Sequence, residues 1–401
     1  MAHYDPTVTP YQLSAFGLLR VGAPYLQADI VNKYQVDPKY WGQSVTGTGV
    51  IAHVPLMSAV IVKAGGGVGV ALLQTHEFYR YQAGKGVRWT MTGFSTDSGS
   101  TGNVRKWGQF SSTDGIYFAH SRSDDRNKFD VGIDSSSGVG GYVIQQRDWN
   151  RNSYPALDPT KGNIFECVYQ WLGVGTVAWY INGFLVHVIE HANTLAGPYM
   201  RTAQNPLSVK VTSTSGALAG WTSICSTLVT EGGSDPAAFG FSYVKPSAPF
   251  ALSTTETPLI SIRPANTVNS VNNRSAVIPT HSTIAADAFS GGADTATFKF
   301  YLNSTLTTGL AWTAIGNGSV VERDIGTTAA GFAAGTLIDV AILSTGTATM
   351  DKDLSQLFSQ HGRKLLRRDY ATPTLDILTI TAQLNAGTGT GACDIGWTEN
   401  D

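Results

Sequence analysis

The sequence predicts an all-β protein of two sandwich domains with one short helix. Three observations carry this. Short runs that alternate apolar and polar residues, such as VRWTMTGF at 87–94, recur between turn signals such as SGSTGN, SSTDG and SSSGVGG. Glycine is abundant, at 44 of 401 residues, which favours turns and short strands. One stretch alone, KDLSQLFSQHGRKLLRR at 352–368, has a helical spacing of apolar residues.

Taken in order, residues 1–50 read as an extended N-terminal arm. Pro6, Pro10, Pro24 and Pro38 interrupt it, and Tyr4, Tyr11, Phe16, Tyr25, Tyr34, Tyr40 and Trp41 need a surface to lie on. The chain's own domain or a neighbouring subunit provides that surface. Residues 51–246 read as the first sandwich. A linker at 247–258 follows, within the proline-, serine- and threonine-rich KPSAPFALSTTETP, and residues 259–401 form a smaller second β-sandwich domain. Asp353 caps the helix, with Leu354, Leu357, Phe358, Leu365 and Leu366 on one side.

The segment WYINGFLVHVIEHAN at 179–193 contains His187, Glu190 and His191 in an H-x-x-E-H order, one form of a zinc-peptidase motif. Asn182-Gly183 is a two-residue hairpin signal, because both positions tolerate positive φ. With the turn there, Ile181 faces Phe184, Trp179 faces Val186 and Val177 faces Val188 on one apolar side. Tyr180 faces Leu185, Ala178 faces His187 and Thr176 faces Ile189 on the other. On a strand, His187 and His191 stand about 13 Å apart, too far for two zinc bonds of about 2.1 Å. The hairpin therefore excludes the peptidase.

The remaining candidates carry no chemistry. KAGGGVGVAL at 63–72 lacks the ending of a phosphate-binding loop, and DSSSGVGG at 134–141 is a turn. Asp124 and Asp125, in HSRSDDRNKFD, are a carboxylate pair for a glycosidase or calcium, but neighbouring residues point apart and a solvated loop is the plainer reading. No G-x-S-x-G elbow occurs. RKLLRR at 363–368 reads as the basic C-terminal end of the helix. Trp107, Trp149, Trp171 and Trp221 are sugar-stacking candidates whose default is core packing. Cys167, Cys225 and Cys393 fit no metal or disulfide spacing and read as free thiols. The sequence thus assigns no catalytic, cofactor-binding or metal residue. Charged residues are only 14%, against about 25% in ordinary domains, and the net charge of −2 draws neither nucleic acid nor an anionic membrane. No apolar run reaches the roughly 20 residues of a membrane helix, and the first residues lack a secretory signal pattern.

Several stretches together resemble a family of tailed-bacteriophage virion structural proteins: YRYQAGKGVRWTMTGF (79–94), RKWGQFSSTDGIYF (105–118) and VYQWLGVGTVAWYINGFLVHVIEHANTLAGPYM (168–200). The most specific positions are Gln170, Trp171, Leu172, Gly173, Val174 and Gly175, then His191, Ala192 and Asn193. In the second half, PLISIRP (258–264), LNSTLTTGLAWTAIGNGSVVERD (302–324) and IGWTE (395–399) are similar to that family's C-terminal β domain. The resemblance covers about 80–399. It implies a concanavalin-like jelly-roll sandwich, a second β domain, and no catalytic or metal residues. The expected function is a structural component of a virion, as a capsid decoration, neck or tail- or fibre-associated protein. It would be made in the bacterial host cytoplasm and assemble with copies of itself, as a homo-oligomer, and with other virion proteins. The alternative is a glycan- or host-receptor-binding module of a tail fibre.

Overall fold

The computed structural model describes residues 24–121, 128–214, 217–232, 239–244, 250–344, 349–360, 366, 368–369 and 374–400. These form two compact units, one ending with Gly232 and the other beginning with Phe239. Both are antiparallel β-sandwiches, as the alternation predicts.

The first unit contains β1 (Pro24–Val31), β2 (Trp41–Gly47), β3 (Val50–Val54), β4 (Ala59–Ala64), β5 (Gly69–Thr75), β6 (Val87–Ser95), β7 (Asn103–Phe110) and β8 (Gly115–His120). It continues with β9 (Phe129–Asp134), β10 (Tyr142–Gln145), β11 (Asn163–Tyr169), β12 (Val177–Ile181), β13 (Phe184–Ile189), β14 (Leu207–Ser213) and β15 (Ala219–Glu231). One sheet runs β13-β12-β11-β6-β15-β4-β3, with β1 also beside β15. The other runs β10-β9-β8-β7-β14-β5-β2. Alternation sets the core: Val87, Trp89 and Met91 of β6 point inward while Arg88 is exposed. Trp107 of one sheet stacks on Trp221 of the other, centroids 3.7 Å apart. Trp41, Trp89 and Trp179 are buried with them. A buried tryptophan removes roughly 150–250 Å² from water, about 4–6 kcal/mol each at 25 cal/mol per Å².

Residues 24–50 are therefore not an arm. β1 pairs with β15 and β2 with β5, and Ile30 and Trp41 lie in the sandwich's own core. The alternation of β1 is hidden because a bulge between Leu26 and Ala28 resets its faces. Residues 1–23, with Tyr4, Tyr11 and Phe16, lie outside the described residues. The expected linker at 247–258 is also corrected. Phe239–Val244, before it, and Phe250–Leu252, inside it, both pair with the strand Thr388–Asn400 of the second unit. Thr257 pairs with Ala382. The described boundary between units thus falls between residues 232 and 239, earlier than composition placed it.

In the second unit, one sheet orders Phe239–Val244, Thr388–Asn400, Ala276–Ser290 and Thr349–Asp353. The other orders Thr313–Ala314, Val321–Asp324, Thr257–Pro264, Leu378–Leu384, Thr295–Leu302 and Thr336–Ser344. Ile260, Ile262, Phe298, Phe300, Ile380 and Trp397 share its core. The helix α1 (Leu354–Gln360) is capped as expected: Asp353 Oδ1 accepts from Ser355 Oγ at 2.6 Å and from Gln356 N at 3.2 Å. It is shorter than its periodicity. Leu366 instead bridges to Val277, and Arg368–Asp369 is extended and pairs with Thr374–Leu375. At Leu366 and Arg368 the basic stretch is therefore no helix end; its other members lie outside the described residues. Leu366 is buried where it bridges, so the helix does not reach it.

Candidate functional site

The hairpin forms at the expected turn, with φ of 51° at Asn182 and 82° at Gly183. Its register matches only at the tip. Ile181 pairs with Phe184 and Tyr180 with Leu185, but a bulge then sets Trp179 opposite His187, Ala178 opposite Val188 and Val177 opposite Ile189. Val186 is the extra residue, buried beside His187. The bulge turns His187 to the inner side and Val188 to the outer one, the reverse of the ideal register. The H-x-x-E-H residues run along a strand and out of it, not along a helix. His187 Nδ1 accepts the Asn150 N–H at 3.1 Å. Burial, and then the nearby Arg151 charge, push His187 down to about 4. His191 bonds the Gly175 carbonyl through Nδ1 at 2.7 Å and stacks on Tyr199 at 4.1 Å. Burial lowers its pKa as well, against the opposing pull of that carbonyl.

Of the tryptophan candidates, Trp107, Trp149 and Trp221 are buried. Trp171 is half-buried, edge-on to Tyr81 at 5.7 Å. Cys167 and Cys393 are buried, Cys225 is half-buried, and all three are free thiols. Asp124 and Asp125 lie outside the described residues. Among the described residues, no three metal-ligating side chains are grouped.

The family-like stretches gather in two places. In the first unit, Gln170 Nε2 donates to the Gly84 carbonyl at 2.7 Å, and Leu172 N donates to the Tyr81 hydroxyl at 3.2 Å. Tyr199 N donates to the Gly173 carbonyl at 2.8 Å. A Cβ on Gly175 would lie 1.6 Å from the Gln170 carbonyl oxygen. The QWLGVG segment is thus a tight loop that ties YRYQAGKG, His191 and the Pro-Tyr-Met stretch together. In the second unit, Glu399 of IGWTE is buried. It accepts from Trp397 Nε1 at 2.7 Å, Ser319 Oγ at 2.6 Å and Val320 N at 2.9 Å, the last two from the GNGSVVERD stretch. Both clusters hold stretches distant in sequence together through internal hydrogen bonds.

On the outer face of the β10–β2 sheet, a Cβ on Gly132 would lie 2.3 Å from Tyr117, so the phenol ring covers that glycine closely. The Lys106 ammonium lies 3.6 Å from the Tyr117 ring centroid and 4.5 Å from that of Phe110, and pairs with Asp134. Burial lowers the Lys106 pKa against the raising pull of Asp134. Burial, together with Asp134 and then Asp130, pushes the Tyr117 phenol far up. Asp130 accepts from Ser121 Oγ at 2.9 Å. Lys106 and Asp134 thus offset one another on this face, while Lys210, opposite Lys106 on β14, adds a like charge that lowers the Lys106 pKa further.

The unusual surface lies elsewhere. Of seventeen exposed large apolar side chains in the first unit's described residues, ten fall between Tyr25 and Val68, among them Tyr34, Val45, Val50, Leu56 and Met57. Leu56 is fully exposed at 102% and Met57 at 56%. Between Lys39 and Lys63 there is no charged residue. Among the described residues, β2 ends one sheet and β3 the other. Sheet edges are ordinarily guarded by charge, proline or a covering segment. The opposite edge, β13, is covered: Arg151 N and Asn152 N donate to the Val186 carbonyl, and the Asn150 side chain bonds Val188. The strands β2 and β3 themselves carry no charged side chain, and expose Val45 and Val50.

No family model and no curated protein matches the chain. Among solved structures, it is similar to the metal-free carbohydrate recognition domain of Emp46p, with 9% identity over 49% of this chain and 96% of that one, TM-score 0.32. It is also similar to a β-1,3-glucanase from Mycobacterium marinum, with 11% identity over 51% and 98%, TM-score 0.37, and to an endo-1,3-β-glucanase from Streptomyces sioyaensis, with 9% over 52% and 96%, TM-score 0.37. At these scores the likeness carries no inference about ligand or reaction.

Proposed function

We propose that this protein is a structural component of a tailed-phage virion that works by burying its β2–β3 side against neighbouring subunits. The observation that carries this is an uncharged pair of edge strands that expose Val45 and Val50, with Leu56, Met57 and Val68 exposed in the turns next to them. The resemblance of the QWLGVG and IGWTE stretches to virion structural proteins supports it. The tyrosines expected to seek a surface, Tyr25, Tyr34 and Tyr40, remain exposed even though their segments belong to the sandwich.

The same reading takes the chain as a non-enzyme. The two carboxylates on one face of β9, Asp130 and Asp134, are four residues apart, about 13 Å along a strand. A glycosidase pair needs roughly 5–9.5 Å. Glycan binding is the lesser reading, because three of the four tryptophans proposed to stack on sugars are buried. The direct test is quantitative mass spectrometry of purified particles from a host producing the phage. The chain should be present in multiple copies per particle. Its absence, or binding of the isolated chain to a glycan array, would overturn the assignment.

A further inference from the structure

We propose that β3 pairs antiparallel with β3 of a second copy across a two-fold axis, joining two sheets into one. This rests on the reading of the β2–β3 side as an assembly surface and names its occupant.

The strand itself carries the argument. β3 reads Val50-Ile-Ala-His-Val54 and pairs with β4 in the register Ile51–Val62, Ala52–Ile61 and His53–Val60. Val60 and Val62 are core residues, so Ile51 and His53 face inward, and His53 Nε2 bonds the Asn32 carbonyl at 2.9 Å. Val50, Ala52 and Val54 therefore face outward. The outer face is thus wholly apolar where an antiparallel sheet ordinarily turns polar residues to water, and β3 stands at the edge of its sheet among the described residues.

Two features select a second copy. The row of edge N–H and C=O groups on an antiparallel strand is complementary to itself about a two-fold axis. With no charge between Lys39 and Lys63, such self-pairing brings no like charges into opposition. An axis through Ala52, the middle of the strand, sets Val50 against the partner copy's Val54, a β-branched cross-strand pair. The same register carries Leu56 toward the partner copy's Thr48, whose N–H bonds the Val68 carbonyl at 3.3 Å. Leu56 and Val68, the latter 71% exposed, are thereby brought together.

The test uses the full chain. Light scattering after gel filtration should show a dimer, and Val50→Lys should give a monomer with the parent's melting curve. Under mild oxidation, Ala52→Cys should form a covalent dimer because the residue faces itself across the axis. Val50→Cys alone should not, whereas an equimolar mixture of Val50→Cys and Val54→Cys should. A monomeric parent chain, or equal self-crosslinking of Val50→Cys and Ala52→Cys, would overturn the pairing. A monomer that is nevertheless found in particles would overturn the pairing and leave the virion assignment standing. A dimer absent from particles would do the reverse.

Discussion

The side-chain amide of Asn150 makes both hydrogen bonds that a neighbouring strand would make with Val188. Its Nδ2 donates to the Val188 carbonyl at 2.8 Å, and its Oδ1 accepts the Val188 N–H at 3.0 Å. The open edge of β13 is thus capped by one residue imitating a backbone. Asn150→Ala should lower stability by about 1–3 kcal/mol, two neutral bonds at about 0.5–1.5 each, and should promote aggregation. Urea unfolding with light scattering measures both. An unchanged midpoint would mean that water replaces the amide without loss.

His187 should make the first unit acid-sensitive. Its Nδ1 accepts the Asn150 N–H, so a proton there would face another donor. Because its folded pKa of about 4 lies below the ordinary 6.5, the unfolded chain binds more protons between those values. The contribution is complete above about pH 6.5, is lost as pH falls toward 4, and is level below that. Its ceiling is roughly 3 kcal/mol at about 1.36 kcal/mol per pH unit. His187→Asn, whose amide oxygen can take the same N–H, should flatten the stability profile across that window in urea titrations at stepped pH. An unaltered slope would assign the acid sensitivity to another group.

Glu399→Gln should loosen the second unit. The carboxylate accepts three donors from Trp397, Ser319 and Val320, whereas the amide would turn an NH₂ toward one of them. The loss should be about 1.5–3 kcal/mol, the range for a hydrogen bond to a charged group. Hydrogen exchange at the Val320 amide should accelerate while the Trp179 region stays protected. Unchanged Val320 protection would show that the two stretches are held by other contacts.

Two glycines should respond differently to alanine. At Gly183 nothing lies within 4 Å of the added Cβ, and only the φ of 82° is at issue, so the loss should be about 1–2 kcal/mol. At Gly175 the Cβ would sit 1.6 Å from a backbone carbonyl, so the QWLGVG loop must open, at more than about 3 kcal/mol. Thermal melts of the two variants order them. The reverse order would mean that the loop yields without disturbing the core.

The failures of sequence reading have local causes. The Asn182-Gly183 turn was legible because its φ requirement is chemical and short-range. The register beyond Tyr180 was not, because a bulge adds one residue without marking it in the pattern. β1 was hidden by the same device at Gln27, where the pairing skips from Leu26 to Ala28. The helix start at Asp353 was legible from its cap, while its end was decided by Leu366 finding Val277. A proline-rich composition predicts an unpaired linker at 247–258, but composition does not show that Phe250–Leu252 finds the strand Thr388–Asn400.

Composition and alternation by themselves determined that this chain is all-β, that its tryptophans chiefly build cores, and that His187 sits on a strand rather than a helix. Those properties depend on side-chain chemistry and a two-residue period, both written locally. Which strands form edges was decided only in the tertiary structure, because an edge is defined by the neighbour it lacks. Thus nothing in Val50-Ile-Ala-His-Val54 marks it as an edge, and its place at the end of the sheet, among the described residues, is visible only in the fold.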